Sequence, residues 1–360
     1  MGRDWRLRAY HDGDEGAMLE LYRAVYGETL GRDEWLEQWR WKYRRNPAGK
    51  PVIWLAEAGG RLVGQYPLNP VRMKVGEEIF TGVQMVELMT HPDYRRRGVS
   101  LALARKALDE ARDRGLGLAY GFPNRMAYPT HMMAGYADVG ATAAWIRPFN
   151  AGNILKRRLK SGLLAGAGGA FAGAILKAFY REVAAPAAEG LSVSEVASFD
   201  GRADELWGVV SRQHRIAVVR DMGYLNWRYA EVPGVKFTIY IAEKAGKLLG
   251  YAVLKCEEQG GLVFGRIFEL VVLPGQGAVA RHLLHRAGEH FQRAGADLII
   301  YRLLGNRAYN RYLRKGGFIR AGWLGSRARF IARPASPDIP VALLAAKENW
   351  FVQSGDSDAV

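Results

Sequence analysis

An internal repeat constrains the fold of this 360-residue chain more than any other feature. Four blocks recur in the same order, the first two at an offset of 186 residues and the last two at 182: residues 41–43 with 227–229, 55–64 with 241–250, 87–88 with 269–270, and 124–125 with 306–307. One four-residue shortening reconciles the two offsets. Independent strand–turn–strand patterns would give scattered matches, so the sequence predicts a duplicated domain.

Each repeat has the pattern of a mixed α/β domain. In the first, we expect a helix over residues 15–26, one hairpin turning at 59–60 and another at 76–78, whose second arm runs on to residue 89. A helix after Pro92, a short strand over 116–122 and a helix over 124–134 complete the pattern. The predicted fold class is α/β (mixed α+β), with two tandem domains. Their ranges are 1–150 and 191–335, with a connector at 151–190 and a tail at 336–360.

The connector and the tail each carry a distinctive composition. The apolar stretch 162–176 is rich in Gly and Ala and is shorter than the roughly 20 residues of a membrane span. We expect a helical connector packed on protein, with membrane contact as the alternative. In the tail, Trp350-Phe351 predicts docking onto the body of the protein.

Composition narrows the classes of partner and the compartment. A formal charge of +15 favours anionic partners, which include nucleic acid, an anionic membrane surface and a polyanionic cofactor, although a basic surface without specific function is also compatible. The sequence contains no DNA- or RNA-binding signature, so we expect no nucleic-acid partner. A single cysteine, Cys256, excludes an intramolecular disulfide and fits a reducing, cytoplasmic location without a metal site. The polar N-terminus lacks an apolar signal core.

The most informative stretch follows the strand that ends near Glu87. Pro92 stops the strand, three arginines (95–97) follow, and Gly98 opens a helix. The free N–H groups and the dipole of a helix N-terminus attract a pyrophosphate, and the arginines supply counter-charge. The stretch matches neither the Walker loop nor the dinucleotide fingerprint. Taken alone, it is also compatible with a solvated basic turn.

Together with the residues around it, this stretch resembles the acetyl-CoA loop of the GNAT superfamily of acyl-CoA N-acyltransferases. The family pattern Arg/Gln-x-x-Gly-x-Gly/Ala corresponds to Arg95-x-x-Gly98-x-Ser100, with serine as a small departure, and Asn124-x-x-Ala127 followed by Gly135-Tyr136 resembles the family's helix motif. The resemblance implies a sheet splayed between its fourth and fifth strands, with the pantetheine arm of acetyl-CoA in the opening. The cofactor-binding residues that it implies are Leu88, Met89, Thr90, Arg95, Arg96, Arg97, Gly98, Val99, Ser100 and Asn124.

The second repeat lacks this loop. At an offset of 182, Gly98 falls on Ala280 and the three arginines fall on 277–279 (Gly-Ala-Val). We therefore expect the C-terminal copy to be degenerate and acetyl-CoA to bind once per chain, in the first repeat. The alternative is that residues 274–278 still form a workable loop.

The proton chemistry is the least specified part of the sequence. Glu87 is a candidate base, but its repetition as Glu269 in the degenerate copy argues equally for a structural role, and Gln84 cannot usefully accept a proton. The resemblance places His131 at the position of a family tyrosine that protonates the departing thiolate. Tyr128, one helical turn earlier, is the alternative acid.

The sequence therefore predicts an N-acetyltransferase that moves the acetyl group of acetyl-CoA to an amine of a small molecule, amino sugar or peptide, by direct attack in a ternary complex. The alternatives are a non-catalytic acetyl-CoA- or peptide-binding module, a nucleic-acid-binding protein, and an acyltransferase acting on peptidoglycan-like substrates. The sequence favours a protein without membrane contact over the alternative given above for the connector, and it leaves a homodimer open.

Overall fold

A computed structural model describes residues 4–28, 30–150, 153–154, 188–321 and 328–358. The predicted helical connector 162–176 lies outside the described residues. Within them, no helix is long and apolar enough to cross a membrane. The described chain forms two sheets with flanking helices, which confirms the predicted mixed α/β fold in two lobes.

The first repeat contains eight strands and four helices among its described residues. The strands are β1 (Arg6–Ala9), β2 (Val52–Ala58), β3 (Arg61–Val75), β4 (Glu78–Met85), β5 (Met89–Thr90), β6 (Leu118–Gly121), β7 (Ala137–Ala141) and β8 (Ala143–Pro148). The helices are α1 (Glu15–Tyr26), α2 (Arg32–Tyr43), α3 (Val99–Asp113) and α4 (Tyr128–Met133).

The second repeat follows the same order and continues into the tail. Its strands are β9 (Leu191–Val196), β10 (Ile216–Val218), β11 (Thr238–Lys244), β12 (Lys247–Gln259), β13 (Leu262–Val272), β14 (Leu298–Leu303), β15 (Ile319–Arg320), β16 (Arg329–Pro334) and β17 (Trp350–Phe351). The helices are α5 (Arg202–Val210), α6 (Met222–Leu225), which continues as a π-helical turn (Asn226–Ala230), α7 (Gly277–Arg293), α8 (Arg307–Lys315) and α9 (Val341–Ala345).

The two halves exchange strands: β8 of the first repeat joins the second sheet, and β10, β16 and β17 from the second repeat and tail join the first. The first sheet has the order β1-β2-β3-β4-β6-β16-β7 and the second β9-β11-β12-β13-β14-β8-β15. Thus β16, from the end of the second repeat, lies between β6 and β7, and β8, from the end of the first, lies between β14 and β15. Sheet membership therefore differs from the predicted ranges 1–150 and 191–335. We call the first sheet with its helices the first lobe, and the second sheet with its helices the second lobe.

The internal duplication is visible in local geometry. The β2–β3 hairpin carries a register shift between Ala56 and Glu57, and the β11–β12 hairpin carries one between Ala242 and Glu243, 186 residues later. The repeats thus share an irregularity of backbone pairing as well as sequence, which supports a common origin for the two lobes.

Helix α3 fixes the position of the first lobe's loop. It buries one apolar stripe that includes Leu103, Ala107 and Ala111 against β2 and β3. A Cβ on Gly64 of β3 would lie 2.8 Å from Val99 Cγ1, so this glycine permits the close approach of strand and helix. The beginning of α3 is therefore held directly over the end of the sheet.

Candidate active site

The loop between β5 and α3 has a backbone suited to an anion. Arg96 (φ 62°) and Gly98 (φ 79°) both lie in the left-handed region, and Gly98 is the residue that precedes the first turn of α3. Left-handed residues in such a loop turn successive N–H groups towards one concave side. Since α3 is 15 residues long, its N-terminus adds the positive end of a full helix dipole.

The side chains of this loop leave positive charge exposed. Arg95, Arg96 and Arg97 are all exposed, and only Arg97 has a carboxylate partner among the described residues, Asp4 at 2.7 Å. The Thr90 and Ser100 hydroxyls lie 2.9 Å apart and connect the strand end to the helix. Val99, by contrast, is buried in the core, so its side chain anchors the loop.

The first sheet opens beside this loop. Strands β4 and β6 pair only at Val83–Ala119 and Gln84–Tyr120 before they separate. The opening holds a cavity of about 130 Å³. Its described lining combines the predicted residues Glu87, Leu88, Asn124 and His131 with the tail residue Asp358, which sequence reasoning missed.

Glu87 interrupts the arm that the sequence predicts to run to residue 89. Its φ of 44° breaks the strand after Met85, and its carboxylate accepts hydrogen bonds from Lys42 Nζ (2.5 Å) and Tyr43 Oη (2.8 Å). Burial opposes ionisation, but the charge of Lys42 and these two hydrogen bonds outweigh it and lower the pKa of Glu87. The Glu87 carboxylate is therefore ionised, and both of its oxygens accept hydrogen bonds.

The second lobe repeats this arrangement. There, Tyr229 Oη donates to Glu269 Oε1 at 3.0 Å, and Tyr229 is the counterpart of Tyr43. A tyrosine–glutamate hydrogen bond retained in both lobes favours the structural interpretation of Glu87.

His131 is a buried imidazole that reaches the same cavity. It is 1% exposed, and its Nδ1 lies 2.8 Å from the carbonyl oxygen of Ala127. A carbonyl only accepts, so Nδ1 carries the proton and Nε2 holds a lone pair. Nε2 has no hydrogen-bond partner among the described residues. Burial lowers the pKa of His131, so the ring is neutral at pH 7.

Tyr128 and Asn124 are engaged elsewhere. The Tyr128 hydroxyl donates to Asp138 at 2.5 Å, and Tyr128 does not line the cavity of Glu87 and His131. Asn124 Oδ1 accepts from the N–H groups of Met126 and Ala127 and so caps the turn leading into α4. Asn306 caps α8 in the same way, so the capping role belongs to the repeat.

Among its described residues, the second lobe lacks both the arginine-rich loop and the open cavity of the first. Residues 277–282, which align with the arginine loop, form the first turns of α7, so a helix replaces the loop. Strands β13 and β14 separate after the pair Ile267–Tyr301, and the opening between them is filled by the C-terminal tail. Gln353 Oε1 accepts the N–H of Leu270 at 2.8 Å, and Leu270 is the counterpart of Leu88.

A buried ion cluster holds the tail in this place. The guanidinium of Arg220 is fully buried and donates to Glu269 (2.9 Å) and to both oxygens of Asp356 (2.8 and 2.7 Å). A Cβ on Gly355 would lie 2.1 Å from Tyr229 Oη, so only glycine fits there. Trp350 and Phe351 are buried, which confirms the predicted docking of the tail.

From this anchor the tail crosses to the first lobe. Gln84 Nε2 donates to the carbonyl oxygen of Asp356 at 2.9 Å, and Asp358 then reaches the cavity of Glu87 and His131. Burial, and next the charge of Glu87, raise the pKa of Asp358, while Lys42 lowers it, and the net shift is upward. Only the acidic composition of the tail end could have suggested this carboxylate from the sequence.

The geometry agrees with comparisons to known proteins. The family model described as an acetyltransferase (GNAT) domain matches residues 6–140. A GCN5-related N-acetyltransferase from Anabaena variabilis shares the fold with a TM-score of 0.66 at 14% identity, covering 95% of this chain and 75% of its own. One from Kribbella flavida gives 0.61 at 17% identity, with 95% and 74% covered.

A tandem GNAT protein from the clavulanic acid biosynthesis pathway gives a TM-score of 0.57 at 17% identity, covering 92% of this chain and 99% of its own. No curated protein sequence gives a significant match. Residues 6–140 thus form a GNAT domain. The chain as a whole shares the fold of that tandem protein, and the described part of its second lobe lacks the arginine-rich loop of the first.

Proposed function

We propose that the chain is an acetyl-CoA-dependent N-acetyltransferase with one acetyl-CoA site, in the first lobe. The observation that carries this proposal is the contrast between the two openings. In the first lobe, an arginine-rich loop at a helix N-terminus lies beside an open cavity. In the second lobe, a helix replaces the loop, and Gln353 Oε1 accepts a hydrogen bond from the backbone N–H of Leu270.

The residues of the first lobe fit the parts of this substrate. Arg95, Arg96 and the first N–H groups of α3 would hold the pyrophosphate, since they are exposed and unpaired with carboxylates among the described residues. Leu88, the counterpart of Leu270, would offer its N–H to a pantetheine amide, as Leu270 does to the amide of Gln353.

In the proposed reaction, the neutral amine nitrogen attacks the thioester carbonyl carbon, and the C–S bond then breaks. His131 Nε2 accepts the proton that the amine loses and returns the same proton to the departing thiolate sulfur. The products are an amide and free coenzyme A, and the imidazole of His131 ends the reaction neutral, as it began. The acceptor binds beside Asp358 as an ammonium and releases one proton to solvent before its neutral nitrogen attacks, and Glu87 fixes the strand break through Lys42 and Tyr43.

An amine panel tests this proposal. Purified protein is mixed with acetyl-CoA and amines, and free thiol and acetylated product are measured together. We expect amine-dependent release of thiol in equal amount to acetylated amine. Tight binding of acetyl-CoA without transfer to any amine would instead identify a non-catalytic binding module.

A further inference from the structure

A second cavity adjoins the candidate active site. Its volume is about 300 Å³, and it lies between the tail and the face of the second sheet. Phe122 and Asp358 line both cavities, so the two spaces lie on either side of these side chains. An acceptor bound in the second cavity would therefore present one end to Asp358, which also faces the cavity of His131.

The wall formed by the second sheet carries two arginines. Arg266 and Arg302 line it, together with Glu257 and the ring of Phe268. Arg266 forms an ion pair with Glu257, and the same carboxylate also receives Lys255 at 3.3 Å. The carboxylate of Glu257 thus pairs with two cations, Arg266 and Lys255, and it does not pair with Arg302.

Arg302 is the cation without a counter-charge. Its backbone N–H donates to Ser354 Oγ at 3.0 Å, but its guanidinium has no carboxylate or hydrogen-bond partner in the described ranges. The side chain is half-buried, and burial, followed by the charge of Arg266, lowers the pKa of Arg302. A half-buried guanidinium beside another is favourable when an anion binds between or against them.

We infer that this cavity, which we call the arginine pocket, binds the anionic group of the acceptor. The acceptor would then be an amine that also carries a carboxylate or a phosphate. Its anionic group would lie at Arg302 and Arg266, its carbons against Phe122 and Phe268, and its amine at Asp358. The inference rests on the proposed function and specifies the substrate class of that site.

Matched acceptor pairs test the inference. We compare O-phosphoethanolamine with ethanolamine, glucosamine 6-phosphate with glucosamine, and β-alanine with propylamine, measuring kcat/KM for each. We expect the anionic member to be preferred at least tenfold in at least one pair. The phosphate and carboxylate arms distinguish which anion fits.

The variant Arg302→Gln should remove this preference and change kcat/KM for the uncharged member by less than twofold. The exposed Arg311→Gln is the matched control and should retain the preference. Arg302→Lys keeps the charge and should retain part of it, which keeps the test valid if the glutamine variant is poorly folded.

Direct binding separates failure of the inference from failure of the proposed function. Calorimetric titration of the wild type with inorganic phosphate and with acetate should detect binding that weakens at least tenfold in Arg302→Gln. Transfer to amines without an anionic preference overturns the inference alone. If no amine is acetylated, the proposed function fails, and equal anion binding by wild type and Arg302→Gln overturns the inference as well.

Discussion

Trp41 and Trp227 bond to each other reciprocally across the junction of the two repeats. Trp41 Nε1 donates to the carbonyl oxygen of Trp227 at 2.7 Å, Trp227 Nε1 donates to that of Trp41 at 3.0 Å, and the rings stack at 4.9 Å. Each tryptophan donates the same hydrogen bond to its counterpart that it receives from it, and such a reciprocal contact is expected across a two-fold axis. The lobes are therefore packed as a pseudo-symmetric pair.

This symmetry makes the two tryptophans equivalent for stability. Trp41→Phe and Trp227→Phe each leave a buried carbonyl without its donor, so each should cost about 1–3 kcal/mol of unfolding free energy. The control is Trp39→Phe, whose Nε1 has no partner within the described ranges. Denaturant unfolding should show equal losses for the pair and a smaller loss for the control. Clearly unequal losses would contradict the symmetric junction.

The left-handed conformation of Gly98 predicts a sharp effect of substitution. Gly98→Glu brings a negative charge to the anion loop and strains the backbone at φ 79°, so acetyl-CoA affinity should fall at least 100-fold, measured by calorimetry. Gly98→Ala carries the strain alone and should lose less.

The matched control cannot be Ala280, the aligned residue in the second repeat, because Ala280 is fully buried on α7 and a glutamate there would unfold the core. Ala278→Glu, in the first turn of α7, is the better control and should leave acetyl-CoA affinity unchanged. Equal losses in Gly98→Glu and Ala278→Glu would contradict assignment of the site to the first lobe.

The proton role of His131 predicts the direction of a pH dependence. Its pKa lies below the usual 6.5, and the neutral ring is the active form, so kcat should be full at neutral pH and fall as pH drops through that lowered pKa. His131→Ala should lower kcat at least tenfold, with acetyl-CoA affinity nearly unchanged. A wild-type kcat that instead falls as pH rises through this range would restore the imidazolium as the required form.

The two carboxylates of the cavity should respond oppositely to neutralisation. The pKa of Glu87 is lowered, so its ionised form stabilises the fold above its unfolded pKa, and Glu87→Gln should lower Tm at pH 7. The pKa of Asp358 is raised, so its ionisation costs stability as pH rises, and Asp358→Asn should maintain or raise Tm while raising KM for the amine. Thermal melts and steady-state kinetics at pH 7 check both. A fall in Tm for Asp358→Asn with unchanged KM would make that residue structural.

Local patterns predicted much of the fold. The helix over 15–26, the hairpin turns near Gly60 and Gly76 and the basic loop all arise from residues close in sequence, where periodicity and glycine act directly. Helix α2 was missed, although its aromatic residues supply Lys42 and Tyr43 to Glu87.

The strand exchange and the tail could not be predicted in this way. The short strand β8 has four consecutive buried residues and would have the same local pattern in either sheet, so its sequence does not indicate which sheet it joins. The path of the tail depends on Arg220, 136 residues before Asp356, and on Gln84, 272 residues before it. Such contacts follow from the packed lobes and not from any local period.

The central claim is that the cofactor site survives in one lobe only. Isothermal titration of the purified chain with acetyl-CoA tests it most directly, with Gly98→Glu as the reference. We predict a stoichiometry of one per chain in the wild type and, in Gly98→Glu, an affinity at least 100-fold weaker. Two equivalent sites per chain, or a site of unchanged affinity in Gly98→Glu, would contradict the account.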